Sequence, residues 1–401
     1  MIEQTIRFVK PGQITLTALP PLALYVHLPW CLKKCPYCDF NSHEWRADEA
    51  LAAGAMEQRY LDALRLDLEA ALPLIWGRRV MSVFIGGGTP SLFSPEAIDR
   101  LIGDIRARLP LEPGCEITLE ANPGTFERER FRAFANAGVT RLSIGVQSFN
   151  DASLQALGRV HDAEQARAAI KEAASAFATF NIDLMYALPG QTLADLEREL
   201  DEALAFKPPH LSIYHLTIEP NTMFAVAPPP RLPDDDLASD MLDLITARTA
   251  ATGLARYEVS AFAQSGHACE HNLNYWRFGD YLGIGAGAHS KISFPSRIVR
   301  QVRWREPAAY MTHAAAGKAV SNEHEVAASE LPFEFMLNAL RLKDGFELRL
   351  FAERTGVALS RIEAAIDTAV QRDWLRRAGG VLTPTVRGFD FLSEVQQLFL
   401  A

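Results

Sequence analysis

Three of the five cysteines in the chain stand together in the stretch Cys31-Leu32-Lys33-Lys34-Cys35-Pro36-Tyr37-Cys38, while Cys115 and Cys269 lie far away. Thiolates on one short loop hold a metal centre jointly, and their number separates the candidates. A structural zinc ion is closed by four ligands, commonly from paired CxxC knuckles. A 4Fe–4S cubane is usually held by four cysteines, so three leave one iron without a protein ligand and open to a small molecule. A zinc site that recruits Cys115 or Cys269 as the fourth ligand stands as the alternative at this point.

Other polar residues fall at the ends of short apolar runs. Gly86-Gly87-Gly88-Thr89-Pro90 closes one run, and a glycine run permits close approach of a ligand to the backbone. Glu120 ends a second, Gln147 a third, and Asp183 lies within a fourth. An unpaired carboxylate among apolar residues costs several kcal/mol, so Glu120 and Asp183 require a partner. A neighbouring arginine or a cationic ligand meets that requirement equally well.

The elements that position these groups alternate strictly. Strands are expected at 22–28, 81–87, 116–122, 141–147, 182–188 and 210–216. Between them, SPEAIDRLIGDIRARL opens with Ser94 as N-cap and Pro95 at the first helical position, and FERERFRAFANAG ends on Gly138 as C-cap. HDAEQARAAIKEAASAF and TLADLERELDEALAF complete the helical set. Strand–helix alternation predicts an α/β fold with a parallel sheet, either a partial six-unit TIM-like barrel or a flat doubly wound sheet. In a barrel, the cysteine loop directly after the first strand lies on the C-terminal, active face. The expected organisation is a leader over 1–21, the barrel core over 22–232, an extension over 233–309 and a small, mostly helical, winged-helix-like domain over 310–401. WLRRAGGVLTPT is the β-ribbon of that last domain, and the domain's basic residues Arg372, Arg376 and Arg377 read as solvated charge, with contact to a partner as the alternative.

Composition narrows the function classes. The 401 residues are 48% hydrophobic and 22% charged, which fits a folded globular chain. A net charge of −9 argues against a dedicated nucleic-acid binder, tRNA modification included. The start, MIEQTIRFVKPGQ, lacks the apolar run of a signal peptide, and the uncharged stretch from Pro11 to Leu32 is broken by Pro20, Pro21 and Pro29. A cytoplasmic, reducing compartment follows, with no transmembrane span and with peripheral membrane contact left open.

The C-x-x-x-C-x-x-C loop after a first strand resembles the radical S-adenosylmethionine (SAM) superfamily. The resemblance implies that the open iron is chelated by the amino and carboxylate groups of SAM, whose reductive cleavage yields a 5′-deoxyadenosyl radical. YVHLPWC, CPYCDF, FIGGGTPS, EANPGT, RLSIGVQSF, LGRVH, IDLMYALPGQT and HNLNYW are similar to the branch that contains anaerobic coproporphyrinogen III dehydrogenases and a group of heme chaperones. Carried over motif by motif, the cluster ligands are Cys31, Cys35 and Cys38. The SAM contacts are Tyr25, Gly87, Gly88, Thr89, Glu120, Gln147, Arg159 and Asp183.

Within the branch, the dehydrogenase motif continues C-x-x-x-C-x-x-C-x-C, and this chain has Phe40 at the last cysteine. The CDF ending, the short leader and His271-Asn272-Leu273-Asn274-Tyr275-Trp276 resemble the heme chaperones instead. The resemblance thus implies a carrier that binds heme and passes it to acceptor hemoproteins; radical decarboxylation of a porphyrinogen is the alternative. Imidazole and phenolate both ligate heme iron, which makes His271 and Tyr275 the candidate heme residues, with Cys269 a further soft ligand. A packed loop in which His271 satisfies neighbouring polar groups and Tyr275 fills space explains the same residues. His289, after Gly-Ala-Gly-Ala, reads as structural.

Overall fold

A computed structural model describes residues 14–45, 53–75, 77–124 and 130–400. The expected signal-free start and the first residues of FERERFRAFANAG lie outside the described residues.

Six strands run in parallel in chain order: β1 (Leu22–Leu28), β2 (Val80–Gly87), β3 (Leu111–Ala121), β4 (Arg141–Gln147), β5 (Thr179–Tyr186) and β6 (His210–His215). The crossover helices begin and end as their sequences dictate. On α1 (Pro95–Arg108), Ser94 Oγ accepts from Ala97 N. Asp162 and Gln165 form a capping box on α2 (Ala163–Ala176), as do Thr192 and Asp195 on α3 (Leu193–Ala205). Gly138 ends the helix Phe131–Ala137 at φ 108°, a left-handed cap that suits glycine. Aliphatic side chains from sheet and helices make one large core, which includes Leu24, Val26, Ile85, Leu119, Ile144, Ile182, Leu101 and Ile170. The chain is therefore an α/β partial barrel.

The sheet extends further than six strands. β7 (Ala261–Ala263) pairs antiparallel to β6, and β8 (Asp280–Ile284) lies parallel to β1 on its other side. β9 (His289–Phe294), β10 (Arg297–Arg303) and β11 (Val320–Glu325) continue antiparallel from β8. The glycine-rich GDYLGIGAGAHSK is thus mainly two sheet strands and a turn. Its β8 portion is a buried strand whose hydrogen-bonding edges are used on both sides.

A second core gathers Val326, Phe335, Phe351, Ile366, Leu382 and Val395, together with Ile14 and Leu16 from the leader. Tyr310, Met311 and Ala319 belong to the first core instead, and β11 belongs to the large sheet. The expected boundary at 310 falls within the helix α4 (Pro307–Ala315), which packs against the barrel. The ribbon appears as Leu375–Ala378 and Val381–Pro384, joined through Gly379 and Gly380 at φ 58° and 82°, the two positive φ values of a tight hairpin turn.

Candidate functional site

Alternation along the strands sends one polar face into the barrel. Glu120, Ser143, Asn181 and His210 are register partners across β3 to β6, and Gly145, Asp183 and Ser212 form the next row. These rows line a cavity of about 290 Å3 whose mouth carries the cysteine loop. Cys31, Cys35, Cys38, Gly87, Gly88, Thr89, Glu120, Gln147, Arg159 and Asp183 all face this one space.

The loop is held from several sides. Cys38 N donates to Cys35 O (3.1 Å), Thr89 Oγ1 donates to Cys31 Sγ (3.5 Å), and Arg159 Nη1 approaches Cys35 Sγ (3.6 Å). Gly88 is close to the loop's root: a Cβ there would fall 2.5 Å from the Trp30 carbonyl oxygen, so no larger residue fits without moving the backbone. All three thiols are free and partly buried. Among the described residues no three His, Cys, Asp or Glu side chains converge on a single ion position. Cys115 and Cys269 are engaged with Glu116, the latter through a 3.6 Å contact to Oε1, and neither joins the loop.

Glu120 is the electrostatic anomaly of the cavity. Its Oε2 accepts from Gly87 N (3.1 Å), and it has no ion pair among the described residues. Burial first, and the Asp183 carboxylate second, push its pKa up to about 8. Asp183 is also raised by burial, although Ser143 Oγ (3.0 Å) and Asn181 Nδ2 (2.7 Å) donate to it. A cation bound beside these acids would relieve both. The sign of the pH effect follows. A carboxyl whose folded pKa lies above its unfolded value of about 4.3 keeps its full contribution below that pH and loses it as pH rises through about 8. Glu120→Gln is expected to stabilise the ligand-free protein at pH 9 by on the order of 2 kcal/mol, with little effect at pH 5. Denaturant melts at the two pH values test this, and equal effects at both would contradict the assignment.

Arg159 is a cation across the cavity from Glu120. Its Nη2 donates to Gly145 O (2.7 Å) and to Asn122 Oδ1, while Nε is buried with no hydrogen-bond partner among the described residues. Asn122 also donates to Thr89 Oγ1 (2.8 Å) and so links the glycine turn to Arg159. Asn122, Ser143, Asn181 and Ser212 were not singled out from sequence. The signal was present as polar residues alternating with apolar ones in EAN, RLS, NID and HLS.

Three expected residues stand elsewhere. Tyr25 lines a second cavity behind the Gly87–Glu120 wall, and its hydroxyl donates to His27 Nδ1 (2.9 Å), whose Nε2 donates to the Asn41 carbonyl (2.9 Å). His271, on the helix Glu270–Trp276, is 1% exposed. Its ring nitrogens meet Ser82 Oγ (3.1 Å) and Tyr275 Oη (3.2 Å), and its ring stacks on Phe84 at 5.0 Å. Burial lowers its pKa to about 3. In this fold His271 has the packed arrangement rather than an open ligand position. Tyr275 lines the second cavity with Tyr25.

A parallel partial barrel with three cysteines after its first strand is the architecture of the radical SAM class, and residues 25–203 match the Radical SAM superfamily model. Residues 326–391 match the HemN C-terminal domain. The chain is 45% identical over 388 residues to the heme chaperone HemW of Haemophilus influenzae, covering 95% of this chain and 98% of that one. It is 44% identical over 388 residues to the heme chaperone HemW of Escherichia coli, covering 96% and 100%. The chain belongs to the HemW family of radical SAM proteins. The solved coproporphyrinogen III oxidase (HemN) of Escherichia coli shares the fold, with a TM-score of 0.78 at 23% identity over 95% of this chain and 90% of that one. Among the described residues no helix is long and apolar enough to cross a membrane.

Proposed function

We propose that the protein is a heme carrier that binds heme and hands it to acceptor hemoproteins, with a 4Fe–4S cluster and SAM in the barrel mouth. The observation that carries the cofactor assignment is the meeting of three free thiols, a half-buried Glu120 with no ion pair among the described residues, and Arg159 on one cavity. Cys31, Cys35 and Cys38 would hold the cluster. Bound there, the cluster would supply a chelation point for SAM and, when reduced, an electron. Glu120 and the glycine turn offer acceptors to an ammonium group, Asp183 and Gln147 complete the polar wall, and Arg159 suits a carboxylate. Burial holds the Cys31 thiol up to about 11, so loading iron onto the loop releases protons.

Heme carriage is supported by the names of the relatives and by Phe40, which is 60% exposed at the cavity mouth where the dehydrogenase motif has a cysteine. Titration of the cluster-loaded full chain with hemin tests it: a stoichiometric complex is expected, and its absence removes the reading. His271 can ligate iron only if its helix opens, because both ring nitrogens are engaged. Unchanged heme binding in His271→Ala and Tyr275→Phe would assign HNLNYW to packing. Anaerobic formation of protoporphyrinogen with SAM and a reductant would favour porphyrinogen decarboxylation instead.

A further inference from the structure

Where the barrel meets the second core, a cavity of about 600 Å3 shares no lining residue with the two cavities described above. Its size lies within the usual range of about 300–1,000 Å3 for a ligand pocket. Arg256, which ends the strand Ala255–Arg256, and Trp276, which ends the helix Glu270–Trp276, line it from the barrel side. Arg341, Phe389 and Ser393 line it from the segments that build the second core. Tyr275, the neighbour of Trp276, lines the cavity behind the Gly87–Glu120 wall instead, so the two cavities lie on different faces of that helix.

Each arginine lies over an aromatic ring. The Arg341 guanidinium is 4.2 Å from the centre of the Trp276 ring, and that of Arg256 is 4.8 Å from the centre of Phe389. Stacking of this kind fixes a guanidinium without using its N–H groups. Trp276 Nε1 and Arg341 Nε are buried with no hydrogen-bond partner among the described residues. Buried donors nearly always have an acceptor. Arg256 Nε and Nη2 both donate to the Val259 carbonyl (3.2 and 2.6 Å), which leaves Nη1 without a hydrogen bond among the described residues. Arg341 is paired with Glu258, whose Oε2 lies 3.1 Å from its Nη2, whereas Arg256 has no ion pair among the described residues. Burial works against the charge of Arg256, and the carboxylates of Glu258, Asp390 and Asp243 offset this only in part. Among the described residues Asp390 is the only acid on the cavity wall, and it is exposed.

An oxygen-rich anion supplies both the acceptors and the counter-charge that these groups lack. We infer that this cavity binds a small oxyanion, with Arg256 as its counter-charge and Trp276 Nε1 and Arg341 Nε as its hydrogen-bond donors. Carboxylate and phosphate share that chemistry. Because the donors come from the barrel and from the second core alike, the bound anion would tie the two together. The site depends on neither heme carriage nor the cluster.

The test is a titration of the full chain, kept without oxygen and labelled with nitrogen-15 at the tryptophan indoles. Inorganic phosphate is added in one arm and citrate in the other, with sodium chloride at matched ionic strength as the control. The Trp276 indole N–H resonance, identified as the one missing from Trp276→Phe, is expected to move saturably with at least one of the two anions and not with chloride. The anion that moves it distinguishes phosphate from carboxylate. By calorimetry, Arg256→Gln is expected to weaken that binding roughly tenfold, while Arg256→Lys, which keeps the charge, stays close to wild type. Trp276→Phe keeps a ring under Arg341 and is expected to weaken binding about threefold. Circular dichroism checks that the variants fold, and if Arg256→Gln does not, Trp276→Phe decides. A resonance that neither anion moves, a shift that chloride reproduces, or wild-type affinity in both Arg256→Gln and Trp276→Phe would overturn the site.

Discussion

Cys35→Ser, prepared and reconstituted without oxygen, should hold almost none of the roughly four irons expected per chain for a cubane cluster. Cys35 sits in the middle of the loop, with Arg159 Nη1 at 3.6 Å from its sulfur and Pro36 packed against Gly158. A serine oxygen is a poor substitute for a soft thiolate. Cys115→Ser is the control: Cys115 lies at the other end of β3 beside Glu116, and its loss should leave iron and sulfide unchanged. The loop lies on the barrel mouth outside the main aliphatic core, so the melting temperature of Cys35→Ser without iron should match that of the ligand-free wild type. Iron retained in Cys35→Ser, or zinc in place of iron in the wild type, would remove the cluster assignment.

The second large effect is on stability, and it comes from a pair far from the cysteines. Asp67 and Arg303 are 2% and 1% exposed and approach to 3.3 Å. Asp67 Oδ2 also accepts from Tyr310 Oη (2.9 Å) and from Gly285 N (3.3 Å), so one carboxylate joins the helix 53–75, β10, α4 and the turn before His289. Arg303 has no other carboxylate among the described residues; its Nη1 donates to Ser290 Oγ (2.7 Å) and Gln301 Oε1 (3.0 Å). Asp67→Ala should therefore strand a buried guanidinium and cost about 3–5 kcal/mol, read as a shift of the denaturant midpoint. The double variant Asp67→Leu with Arg303→Met should recover much of the loss, because it leaves no unpaired charge. A single variant that melts with wild type would show that the pair contributes little.

Much of the site was legible because its parts are local in the chain. The cysteine spacing falls within one loop, and the caps Ser94, Asp162 and Thr192 lie next to the helices they start. The polar residues of β3 to β6 alternate with aliphatic ones, and period-two alternation places them on one face without further information. The partial barrel and the gathering of Glu120, Gln147, Asp183 and Arg159 on one cavity follow from those local rules together with the family likeness.

The rest depended on which distant segments became neighbours. Nothing in DYLGI says that it will lie beside β1, because glycines that allow a loop also allow a strand to pass close to its neighbour. Asp67 and Arg303, Asn41 and Arg305, and Ile14 and the second core are long-range meetings fixed by strand order and packing. His271 and His289 show the limit most clearly. By composition they were equivalent imidazoles, with the better motif around the first. The sheet buried His271 against Ser82 and Phe84 and left His289 at an open rim. Residue type and spacing determine what a side chain is able to bind; burial and occupied hydrogen bonds, which exist only once the chain has folded, decide whether it is free to do so.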